Sequence, residues 1–224
     1  MQLCMQLLGA FAGNIYFAQM KPVNELINTK ENSWKNIQEI ISSATNPVEV
    51  LPKDETLARN ALYQVQLSTR SPIGALVYET GGLLVDNGWI RVLGSGSRQL
   101  NRNLPAWNKG KSYRQEGEAP VFLLIADDVI GGFYAINTGG IAEQEGIGSV
   151  FYFAPDTGEW ENMEIGYTEF IGFCCKGDID GFYEGSRLPG WQKTIADLSS
   201  DQVLLDQRII SVAEAWELEK PFVL

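Results

Sequence analysis

Apolar positions in the first part of the chain recur every three to four residues. Trp34, Ile37, Ile40 and Ile41 fall on one face, so the spacing predicts a helix over Val23–Ser43, with Asn32 or Ser33 capping the turn before Trp34. Asn46-Pro47 ends it, because the residue before a proline is pushed out of helical geometry. Val48–Pro52 reads as a short extended link, and Asp54 caps a second helix, Glu55–Leu62, with Leu57, Ala61 and Leu62 inward. From Tyr63 the period changes to two: Tyr63, Val65 and Leu67 alternate with Gln64, Gln66 and Ser68, which predicts a strand. Ser71-Pro72 turns the chain, and Ile73–Thr80 fits a strand or a short helix equally well.

The middle of the chain reads as a meander of strands. Gly81-Gly82 punctuates, Leu83–Val85 runs into Asp86-Asn87-Gly88, and Trp89–Leu93 returns; Asn-Gly between apolar runs is a strong hairpin signal. A helical stretch starts at Ser97 and stops before Pro105, and Asn108–Ala119 is a polar loop. Val121–Ala126 is a continuous apolar run, hence a central strand. Further strands follow at Phe133–Asn137, Ser149–Phe153 and Glu159–Met163. The last two are joined by the four-residue turn Pro155-Asp156-Thr157-Gly158. Tyr167–Cys175 and Asp178–Tyr183 read as helices, and from Gly190-Trp191 the tail has mixed character. Helices, then a strand meander, then helices predict an α+β fold: one domain over residues 20–224, mainly antiparallel sheet with N-terminal and C-terminal helices.

Composition removes whole classes of chemistry. The chain has 224 residues and no histidine, which excludes His-based triads, His metal sites and any His pH switch. Three cysteines, Cys4, Cys174 and Cys175, exclude a disulfide framework, and the adjacent pair sits in an apolar run as buried structural thiols. No metal and no cofactor is expected. The net charge of −11 repels nucleic acid unless a local basic patch overrides it, so no nucleic-acid partner is expected. Residues 1–19 are apolar but carry no Lys or Arg and are interrupted by Gln2, Gln6, Asn14 and Gln19, so no membrane span is expected. They read as an upstream extension before Met20 in a cytoplasmic protein. Ala10-Phe11-Ala12 keeps open the alternative of a cleaved export signal.

The densest basic stretch runs from Arg91 to Arg114 on this acidic chain. The rim around Trp89–Arg102 is therefore the candidate binding surface: Trp89, Arg91, Gly94, Ser95, Gly96, Arg98 and Arg102. A small anion would sit on the amides of Ser95–Ser97 with Arg98 as counter-charge, whereas a protein partner would cover Trp89 and Arg91. The alternative is an acidic site of Asp86, Asp127 and Asp128 working with Arg98, in an enzyme or an anion-binding protein. Asp127 and Asp128 are neighbours on a strand and point to opposite faces, so together they form no acid–base dyad. No catalytic residue is assigned.

Gly81–Gly96, Ala126–Phe133 and Tyr152–Thr157 resemble a bacterial family of unknown function, a likeness running from about Met20 to the C-terminus. More distantly, the order of elements is similar to the SUKH superfamily, with its N-terminal helices, Gly-marked strand pair, antiparallel sheet and closing helix, here Tyr167–Cys175. That second resemblance implies a SUKH-like fold and a non-enzymatic interaction protein, an immunity protein that neutralises a toxin or a regulatory module. It implies no catalytic residues. The oligomeric state is left open.

Overall fold

A computed structural model describes residues 20–142, 144–187 and 189–222; the reading of residues 1–19 falls outside them. The region expected as one helix is two, α1 (Val23–Leu26) and α2 (Trp34–Ser42). Asn28 breaks it by accepting the amides of Lys30 and Glu31 on its side-chain oxygen, an alternative to helical bonding that asparagine favours. The expected link at residues 48–52 is a strand, β1 (Val48–Leu51). Helix α3 (Glu55–Val65) begins as expected, with the Asp54 side chain accepting the amides of Thr56 and Leu57.

The strand expected from Tyr63 is absent, because α3 continues to Val65 and ends with Gln66 in the left-handed region. Ala58, Ala61 and Leu62 are buried at helical spacing, and that packing overrides the short two-residue alternation. Ile73–Thr80, open between two readings, falls in helix α4 (Pro72–Glu79) and its C-cap Thr80: proline stands in the first turn and the Ser71 hydroxyl accepts the Gly74 amide.

The strands β2 (Gly82–Val85), β3 (Ile90–Leu93), β4 (Phe122–Asp128), β5 (Phe133–Asn137), β6 (Val150–Ala154) and β7 (Glu159–Asn162) follow in order. With β1 they form one seven-stranded antiparallel meander in which each strand pairs with its sequence neighbours. The β2–β3 hairpin turns at Asp86 and Asn87, both at positive φ, as its sequence predicts. The helix expected from Ser97 is absent. The Ser97 hydroxyl instead accepts the amides of Gln99 and Leu100 in a turn, and the helix α5 (Leu104–Asn108) starts later, with Pro105 in its first turn rather than beyond its end.

Helices α6 (Tyr167–Lys176) and α7 (Ile179–Phe182) match the expected ones. The tail resolves into helix α8 (Trp191–Ala196), a separate hairpin of β8 (Gln202–Leu205) with β9 (Arg208–Ser211), and helix α9 (Val212–Glu219). The fold is α+β with a mainly antiparallel sheet covered on both faces. Cross-strand register places Val50, Leu83, Val92, Ala126, Tyr134 and Tyr152 on one face. There Tyr134 packs on Phe170 of α6 and Tyr152 on Phe182 of α7. The same register places Leu84, Arg91, Asp127, Phe133, Phe153 and Trp160 on the opposite face, where Phe133 meets Trp216 of α9. Cys174 and Cys175 are free, buried thiols on α6. Among the described residues no helix is long and apolar enough to cross a membrane.

Candidate functional site

Two strongly buried charges stand opposite one another on β3 and β4. Arg91 and Asp127 are cross-strand partners, and Arg91 Nε lies 2.6 Å from Asp127 Oδ1 as a close ion pair rather than a straight hydrogen bond. Asp127 also binds Arg102, whose Nε donates to Asp201 at 3.0 Å. The remaining donors reach the C-terminal hairpin and its approach: Arg91 Nη1 to the Gln202 carbonyl at 2.7 Å and Arg102 Nη2 to the Ser200 carbonyl at 2.6 Å. Arg91 Nη2 donates to the Asp128 carbonyl at 2.6 Å. Burial acts against both cations. It pulls the Arg91 guanidinium below its ordinary range despite Asp127, whereas at Arg102 the two carboxylates outweigh it and raise the pKa. The four side chains balance in charge and tie residues 200–202 onto the sheet.

Above this floor lie two clefts. One, of about 410 Å³, includes Asn87, Arg91, Arg98, Asn101, Ser199 and Asp201 in its lining, with Leu84, Ile195 and Leu198 supplying apolar surface. The second, of about 490 Å³, includes Asn101, Arg102, Trp107 and Asp201 and reaches Ser211–Ala213 at the start of α9. Asn101 and Asp201 line both, so the two clefts adjoin along the seam between the 98–107 segment and the C-terminal elements, and together they are the groove. Among the described residues Arg98 makes no ion pair, in contrast to Arg91 and Arg102.

The structure rearranges the expected rim. Trp89 and Arg91 are each only 2% exposed, so neither forms an open rim. Trp89 packs against Trp191 and Tyr183, and the Arg187 guanidinium lies beside both indoles, 4.5 Å from Trp89 and 4.4 Å from Trp191. The amides of Ser95, Gly96 and Ser97 bond the carbonyls of Thr80, Gly81 and Leu100, which leaves none of them for an anion. Gly94 is needed for close packing: a Cβ there would stand 2.5 Å from the Gly82 nitrogen. Of the expected residues, Arg98 faces the groove, Arg91 and Arg102 form its floor, and Gly94–Gly96 line neither cleft.

The three aspartates do not converge. Asp86 accepts from Arg187 at 2.5 Å, and Asp127 belongs to the ion-pair floor. Asp128 points to the other face, where its Oδ2 accepts the hydroxyls of Tyr152 at 2.8 Å and Tyr183 at 2.9 Å, while Oδ1 accepts the amides of Ile130 and Gly132. The hydroxyls of Tyr134 and Tyr183 share a hydrogen bond of 2.5 Å. Burial raises the Asp128 pKa against those hydrogen bonds and raises the tyrosine pKa values as well. Among the described residues no group of three or more Asp, Glu or Cys stands where it could hold a metal ion.

Sequence reading missed Arg187, Ser200 and Asp201. Their partners lie about a hundred positions away in the chain, and no local spacing announces such a pair.

A family model for proteins of unknown function, DUF2625, matches residues 23–217. The chain belongs to the DUF2625 family. That match spans all nine described strands and the entire groove. The Escherichia coli K12 protein YbfG, a relative of uncharacterised function, is 40% identical over 213 residues, which cover 89% of this chain and 96% of YbfG. An uncharacterised Haemophilus influenzae protein is 39% identical over 186 residues, covering 83% of this chain and 81% of that protein. The resemblance to a bacterial family of unknown function, read from the sequence, is thus established. No solved structure matches the chain significantly.

Proposed function

We propose that this DUF2625 protein is a non-enzymatic binding protein whose groove receives an extended segment of a partner protein. The observation that carries this reading is that two clefts lie side by side and share Asn101 and Asp201. A small metabolite fills one compact pocket, whereas a long seam lined by amides, hydroxyls and apolar patches matches the alternating side chains and backbone of a peptide. The groove floor is fixed by the ion pairs beneath it, so the free protein presents a preformed surface and little ordering opposes binding. Every carboxylate first considered for catalysis is held by another protein group, which favours a structural role for each. The SUKH resemblance of the sequence supports the finer form of the reading, in which the partner is a toxin or a regulator.

The test uses a random-peptide phage library selected on the full chain. Enriched peptides, synthesised singly, are expected to bind the wild-type protein and a Lys35→Ala control equally. They are expected to lose at least tenfold in affinity for Asn101→Trp, which places an indole at the junction of the clefts. Asn101 is exposed, so this variant retains the fold. Peptides that bind Asn101→Trp as tightly as the wild type would remove the groove from the proposal.

A further inference from the structure

Resting on the groove reading, we infer that the partner segment carries an aspartate or glutamate side chain beside an apolar residue, with the carboxylate paired to Arg98. The charges that line the groove are unequally paired. Among the described residues its three cations are Arg91, Arg98 and Arg102. Arg91 and Arg102 are matched by Asp127 and Asp201, and their donors also reach backbone carbonyls of residues 128, 200 and 202. Arg98 is the remaining cation, and it is exposed at the cleft. It lies on a chain of net charge −11, so an acidic partner approaching elsewhere is repelled and one arriving at Arg98 is not.

The same cleft specifies a neighbour for the acid. Leu84, Ile195 and Leu198 form an apolar patch within the lining that contains Arg98. A carboxylate alone would leave that patch wet, whereas an adjoining apolar side chain covers it. Guanidinium and carboxylate match in a forked geometry that fixes the acid and sets the register of the whole segment. The neutral side chains of Asn87, Asn101, Ser199 and Ser200 are placed to take backbone groups of the same segment. For a basic segment Asp127 is out of reach, buried and bonded to both arginines, and only Asp201, with one oxygen already on Arg102, faces the groove.

The test separates this inference from the groove reading. Peptides enriched on the full chain are titrated against wild-type, Asn101→Trp, Arg98→Ala and Arg98→Glu proteins. Expected are peptides with Asp or Glu next to an apolar residue, a ten- to hundredfold loss with Arg98→Ala, and a further loss with Arg98→Glu. Replacing the peptide's acid by lysine should restore binding to Arg98→Glu and weaken it to the wild type, a reversal that only direct pairing produces. Arg98 is exposed, and unchanged thermal melting of both Arg98 variants would show that the losses do not come from unfolding. Peptides that lose binding to Asn101→Trp but ignore Arg98 and carry no acid would overturn this inference while leaving the groove in place. Peptides indifferent to both positions would overturn both.

Discussion

Asp128 shows how a buried carboxyl is shaped by its surroundings more than by its place in the sequence. It is fully buried at the end of β4 and accepts two tyrosine hydroxyls and two backbone amides. Gly132 makes the arrangement possible, since a Cβ there would lie 2.4 Å from both Asp128 Oδ2 and the Tyr152 hydroxyl. Burial raises the carboxyl pKa above its ordinary 3.8, and the hydrogen bonds offset only part of that effect. The folded chain therefore keeps the proton at pH values where the unfolded chain has released it. Its contribution to stability is full below 3.8 and is lost as pH rises through the folded value. Urea denaturation of wild type and Asp128→Asn at stepped pH should show the wild type's relative stability falling across that window and levelling off above it. A relative stability that rises with pH would mean that the four hydrogen bonds outweigh burial.

At the level of elements, Gly94, just after β3, has a packing role that an anion-site reading does not capture. Gly94 lies against the backbone of Thr80–Gly82, and a Cβ there would meet the Gly82 nitrogen at 2.5 Å and the Gly81 carbonyl carbon at 2.7 Å. Backbone atoms cannot swing aside as a side chain can. Gly94→Ala should therefore destabilise the protein by about 1–3 kcal/mol, the usual cost of overpacking, and shift the urea midpoint to match. An unchanged midpoint would show that the two segments separate freely. Most of the meander was legible in the sequence because its turns are marked by residues with special backbone preferences, such as Asp86-Asn87-Gly88 and Pro155–Gly158. Elements without such markers were not. Tyr63 and Val65 alternate like a strand but occupy the last turn of α3, and β8 and β9 are four residues each, too short for a period to separate them from coil.

At the scale of the molecule, the candidate site exists because distant parts of the chain are brought together. Arg98 and Arg102 could be picked out as part of a basic stretch on an acidic chain. That Arg91 is buried, and that Asp201 supplies the other carboxylate, follows only from how the C-terminal hairpin docks. This docking suggests how the parts come apart. Arg102 ties Ser200 and Asp201 to Asp127 on the sheet, and Arg91 adds one bond to Gln202. Arg102→Ala removes three of these attachments but leaves Asp127 paired with Arg91, so the loss should be about 2 kcal/mol, below the roughly 3–5 kcal/mol of a buried charge stripped of its partner. The loss should also be local, because β8 pairs with β9 and not with the large sheet. Hydrogen exchange followed by mass spectrometry should therefore show faster exchange over Gln202–Ser211, while β4 and β5 keep their protection. Equal loss of protection in the hairpin and the central strands would show that the two open as a single unit, and that the groove cannot loosen without the sheet.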